Sequence, residues 1–141
     1  LRDERLRPLF AGMALRSDST SRLHGIFGLA DLTPERKVNI GQIAGISDQK
    51  LRAVVLGRAI GGDYLTTRHM HQILNWPDIK PELELLVTSK LIAAGEEVSV
   101  ARLREVAASC PEDDIGSRIF AQLLIAQIEG DAKATEASAR P

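Results

Sequence analysis

The sequence predicts an all-α protein, a right-handed α-α superhelix (α-solenoid) of about four helical hairpins. An aspartate recurs at one constant interval, at Asp18, Asp48 and Asp78, and one helical turn after each stands a charged side chain: Arg22, Arg52 and Glu82. A looser fourth copy has Asp114 and Arg118, displaced from that interval by a short insertion. Upstream of the aspartates lie apolar sets at spacings of three and four: Phe10, Met13 and Ala14; Ile40, Ile43 and Ala44; Met70, Ile73 and Leu74; and, in the fourth copy, Leu103, Val106 and Ala107. Each set defines one helical face. Leu23 and Ile26, Ala53 and Leu56, Leu83 and Leu86, and Ile119 occupy equivalent places downstream. No segment alternates with period two between turn signals, so no strand is expected. A pair of such helices cannot bury its stripes alone, whereas stacked neighbours share one core.

The expected units are about 3–32, 33–62, 63–95 and 96–130. Helix one runs from Asp3 to about Leu15, with Pro8 tolerated only if the helix begins late or bends there. Ser17 or Asp18 caps helix two, whose Gly25 and Gly28 read equally as close helix packing or as a loosely stable terminal unit. Thr33 and Pro34 read as a start signal for helix three, which ends near Gly45. Ser47 then caps helix four, and Gly61 and Gly62 stop it. Thr66 or Thr67 opens helix five, and helix six runs from Asp78 or Pro81 to Gly95. Ser99 opens helix seven, which Pro111 ends, and helix eight spans about Asp113 to Ile128, stopped by Gly130. The tail, 131–141, has no apolar residue larger than Ala and is expected to be disordered.

With 141 residues, 44% of them hydrophobic, the chain suffices for one domain with a real core. Aromatics are only 4%, so Leu, Ile, Val and Ala must build that core. A net charge of -1 gives no general attraction for nucleic acid or anionic membrane. Cys110 is the sole cysteine, so no intramolecular disulfide can form, and the expected compartment is cytoplasmic. No apolar run approaches the roughly 20 residues that span a bilayer.

The segment SDQKLRAVVLGRAI, Ser47 to Ile60, resembles the second helix of HEAT-like repeats of the phycobilisome-lyase type. That family joins a turn aspartate to an arginine one helical turn on, and Asp18 with Arg22, Asp48 with Arg52, and Asp114 with Arg118 match the pattern. Glu82 departs from it, and only Leu51 supplies the apolar residue usual before the arginine. The resemblance extends from Asp3 to Ile128 and implies a curved helical stack that binds a partner along one face.

The function expected on this basis is a non-catalytic protein-binding scaffold. Arg22, Arg52 and Arg118 recur on equivalent helices and are candidates to grip an acidic partner, with pairing to the turn aspartates as their structural role. Trp76 is a candidate interface anchor. The alternative is a DNA-binding regulator with a helix-turn-helix at about 38–58, in which Gln49, Lys50 and Arg52 lie on the recognition helix. Against it, the same apolar positions recur one full interval to either side, and Asp48 would face phosphates. His69 and His71, two apart on a helix, point to nearly opposite faces and do not read as a metal site. No phosphate loop, nucleophile elbow or catalytic triad order is present, so neither an active site nor a cofactor is expected. The last helix carries Ile119, Phe120, Leu123, Leu124, Ile125 and Ile128, more apolar positions than one buried stripe needs. The expected cover is another protein, a second copy of the chain or a following domain.

Overall fold

A computed structural model describes residues 3–139. The described residues form a 3-10 turn, Glu4–Leu6, and the helices α1 (Arg7–Ala14), α2 (Ser19–Leu32), α3 (Ile40–Ala44), α4 (Gln49–Gly61), α5 (Thr67–Leu74), α6 (Pro81–Ala93), α7 (Val100–Ser109) and α8 (Ile115–Ala139). Among them there is no strand, and no helix is long and apolar enough to cross a membrane. The chain divides between His69 and Met70 into two compact units.

Three of the recurring aspartates are helix caps. Asp18 accepts a hydrogen bond from the Ser21 amide (3.0 Å), Asp48 from those of Lys50 and Leu51 (2.9 and 3.2 Å), and Asp114 from that of Ser117 (3.1 Å). A carboxylate there satisfies amides that the helix leaves open and meets the positive end of its dipole. The Ser21 hydroxyl and amide accordingly hold the Asp18 carboxyl below its ordinary range, and Ser117 does the same for Asp114. Asp48, not Ser47, therefore starts α4. The third copy breaks the rule, since α6 opens at Pro81 with Lys80 in the cap position. The step from Asp48 to Lys80 is thus longer by two positions than the step from Asp18 to Asp48, and the step from Lys80 to Asp114 is longer by two again.

In the first unit α1 and α2 pack with almost no gap. A Cβ on Gly25 would come within 2.6 Å of the Phe10 carbonyl oxygen and the Ala14 Cα, and one on Gly28 would enter the Phe10 ring. Glycine here is the condition for helix contact. The start signal at Thr33 and Pro34 misleads. The Thr33 hydroxyl turns back to the Ala30 carbonyl (2.7 Å) and closes α2, and α3 begins only at Ile40, behind the side chain of Asn39. Residues 33–39 instead make a turn in which Arg36 takes a positive φ of 53°. A second left-handed residue, Asp63 (φ 61°), lies in the turn after α4, and the two turns are stitched together. The Val38 amide donates to the Tyr64 carbonyl (3.0 Å), Lys37 Nζ to the Asp63 carbonyl (2.7 Å), and the Tyr64 hydroxyl to Asp31 (3.1 Å). Tyr64 also packs on Phe27, with ring centroids 4.8 Å apart.

In the second unit α6, α7 and α8 share a core that includes Leu85, Leu103, Val106, Ala121, Leu124 and Ile125. Arg102 of α7 donates from Nε and Nη2, 2.8 Å each, to the two carboxylate oxygens of the buried Glu84 on α6. Arg104 of α7 meets Glu129 of α8 at 2.7 Å. Gly95, at φ +80°, closes α6 by the Glu96 amide bonding the Leu91 carbonyl (3.0 Å). Two expectations fail in this unit. Leu86, placed in the core by the repeat, is exposed, because α6 starts later than the aspartate period implies and Leu85 takes the inward position. Gly130 does not end α8, which continues through Ala139, where the composition suggests disorder. Four of the nine residues from Asp131 to Ala139 are Ala, the residue of highest helix propensity, and one glycine costs too little to break the run.

Candidate functional site

The candidate site is the face formed by α6 and α8. The excess of apolar residues on α8 resolves into two stripes. Ala121, Leu124 and Ile125 enter the core, whereas Ile115, Ile119 and Leu123, spaced by four, point to solvent and are 63%, 55% and 65% exposed. Leu86 of α6 adds a fourth exposed apolar side chain. Between the helices runs a groove of about 220 Å³ lined by Glu82, Leu85, Leu86, Gly116, Ser117 and Phe120. Gly116 leaves the groove open, since a Cβ there would meet nothing closer than Asp114 Oδ1 at 3.9 Å. Neither packing nor backbone conformation requires that glycine. The four exposed side chains present about 400 Å² of apolar surface, within the range of the largest patch on a typical monomer.

One end of this face is acidic. Glu82 and Asp114 both act electrostatically on Cys110, at the C-terminus of α7. Burial, reinforced by these carboxylates, pushes the Cys110 thiol above its ordinary value. Its Sγ lies 3.3 Å from the Val106 carbonyl, and a buried, protonated thiol is a packing group and a poor nucleophile.

The arginines of the repeat are half-buried. Arg118 Nη2 donates to the Cys110 carbonyl (3.0 Å), tying α8 to the end of α7, while its Nε is buried with no hydrogen-bond partner among the described residues. Arg22 Nε has the same condition. Arg22 and Arg52 belong to the first unit and Arg118 to the second. Trp76, after α5, is half-buried.

Gln49 and Lys50 are exposed at the start of α4, with Arg52 half-buried. The amides of Lys50 and Leu51, which would receive a phosphate at this terminus, are already taken by the Asp48 carboxylate. The preceding α3 has only five residues. Elsewhere in the first unit Arg5, Arg7, Arg16 and Arg36 are each paired with a carboxylate.

His69 is half-buried and His71 exposed, and among the described residues no three His, Cys, Asp or Glu side chains gather as a metal site. His69 instead closes a reciprocal cap. Its amide donates to Thr66 Oγ1 (3.1 Å) and its Nδ1 accepts from the Thr66 amide (3.4 Å). Burial, together with Arg68 and Lys37, lowers its pKa.

Comparison with protein-family models, with curated proteins and with solved structures finds no match.

Proposed function

We propose that this chain is a non-catalytic protein-binding scaffold, an α-solenoid of four helical hairpins of HEAT-like type, which takes its partner on the α6–α8 face. The succession of short helices α1 to α8, with an aspartate capping α2, α4 and α8, supports the repeat reading. The observation that carries the binding reading is the second stripe of α8, Ile115, Ile119 and Leu123, held in solvent beside an open apolar groove. Each of these side chains withholds roughly 1 to 2 kcal/mol of burial free energy that folding of the chain does not collect. Contact with a second apolar surface collects it.

The test is a photo-crosslinking amino acid placed at Ile119 and, in a separate variant, at Lys50, with labelled mixed-sequence duplex DNA titrated in parallel at low and rising salt. The scaffold reading expects protein adducts at position 119 and no salt-sensitive DNA binding. DNA binding that weakens steeply with salt and is lost when Lys50 and Arg52 become Ala would overturn it in favour of the helix-turn-helix at 38–58.

A further inference from the structure

We infer that the occupant of the α6–α8 face is a second copy of this chain, docked antiparallel about a two-fold axis at Ile119. The inference rests on the reading of this face as a binding surface and names what binds there.

A two-fold contact needs one patch complementary to itself. The α6–α8 face holds both halves of such a fit, the projecting Ile115, Ile119 and Leu123 and the groove beside them. With Ile119 on the axis, Leu123 of the second copy lies opposite Ile115 and Gly116, where the missing side chain opens the groove, and the symmetric contact repeats at the other end. The stripe from Ile115 to Leu123 spans about 12 Å of helix, short enough to stay in register with a straight partner helix.

Charge favours the same arrangement. Between Asp114 and Glu129 the one ionisable side chain of α8 is Arg118, and its guanidinium is turned to the Cys110 carbonyl. No charge therefore meets its own image near the axis. Gln122 and Gln127, both exposed, carry donors and acceptors alike and can pair with their counterparts. The acidic end, with Glu82 and Asp114, would stack on itself in a parallel pair. In the antiparallel pair it meets the neutral stretch from Gln122 to Gln127. A foreign partner chosen by charge would find none along the stripe.

Two such patches of about 400 Å² give about 800 Å² of apolar contact, below the usual size of specific interfaces, so the association is weak and concentration-dependent. Sedimentation velocity on the full chain from about 10 μM to 1 mM reads it directly. The expected result is a weight-average mass that climbs towards twice the chain mass over this range. Ile119→Lys should remain monomeric throughout with an unchanged circular dichroism spectrum, because the site is exposed. Gly116→Leu, which fills the groove, should raise the dissociation constant at least tenfold. Mixing Ile119→Lys with Ile119→Glu should restore association by placing opposite charges on the axis. A wild-type chain that stays monomeric up to 1 mM, or a dimer that survives Ile119→Lys, overturns the inference. If the wild type is monomeric while a crosslinker at Ile119 captures a different protein, self-docking falls and the scaffold reading stands. Failure of both removes both.

Discussion

The carboxylate of Glu84 is 4% exposed and is held by Arg102 through two parallel 2.8 Å hydrogen bonds that join α6 to α7. Glu105 takes the remaining Nη1 of the same guanidinium at 3.1 Å. These carboxylates raise the Arg102 pKa further above its already high ordinary value, so the guanidinium stays charged at any pH the fold survives. The buried partner makes this link costly to break from the exposed side. Arg102→Ala leaves an uncompensated carboxylate inside the second unit and should cost about 2 to 4 kcal/mol in urea unfolding. Replacing both partners, as Glu84→Leu with Arg102→Met, should recover most of that loss.

Gly25 and Gly57 both lie in helix interiors and should respond with opposite sign to alanine. At Gly25 the new methyl meets backbone atoms of α1 at 2.6 Å, which cannot rotate aside, so Gly25→Ala should destabilise by more than about 2 kcal/mol and detach α1. At Gly57 nothing lies within 4 Å. Gly57→Ala should stabilise by about 0.5 to 1 kcal/mol through helix propensity alone. Thermal melts of the two variants check both signs.

The head of α6 lacks the carboxylate cap that α2, α4 and α8 have. Lys80 makes no capping hydrogen bond at the head of α6 and places a cation at the positive end of the helix dipole. Lys80→Asp should therefore stabilise the chain by about 1 kcal/mol, whereas Asp48→Ala should destabilise it by a similar amount. Equilibrium denaturation reads both.

Acid should weaken the head of α5. His69 accepts the Thr66 amide through Nδ1 only when neutral, and its pKa is depressed in the fold, first by burial. The unfolded chain therefore binds the proton more readily. This contribution is complete above the ordinary histidine value near 6.5 and disappears as pH falls through the lower folded midpoint. A proton-resolved titration of His24, His69 and His71 should give His69 a midpoint below that value. A midpoint above about 6.5 would sink the reciprocal cap.

The helical class is legible in the chain because apolar residues recur at spacings of three and four and no segment alternates with period two. The positions of caps are only partly so. Asp18 and Asp114 behave as their residue type suggests, but Asp78 keeps the aspartate interval without starting a helix, since Pro81 accepts the first helical position a little later. That slip turns Leu86 outward and makes Leu85 the core residue. Ile43→Ala should accordingly cost about 2 to 5 kcal/mol and Leu86→Ala less than about 1.5 kcal/mol, a contrast the repeat pattern hides. The surplus apolar positions of α8 are visible in the sequence. Which of them face solvent is not, because an amphipathic pattern with two stripes has no single moment to read. Glu84 gives no signal either, for nothing local to it announces an arginine on the following helix.

The widening interval between caps has a consequence for how such a chain can be cut and copied. A block excised from Asp18 up to Asp48 brings the cap of α4 to the place of the cap of α2, but sets Val55 where Gly25 met the backbone of α1. The same length removed from Asp48 onward stops two residues short of Lys80 and leaves them as extra linker ahead of α6. The stretch between caps lengthens along the chain and Gly25 has Val55 as its counterpart one interval on, so no fixed-length segment can be exchanged without altering either a linker or a helix contact.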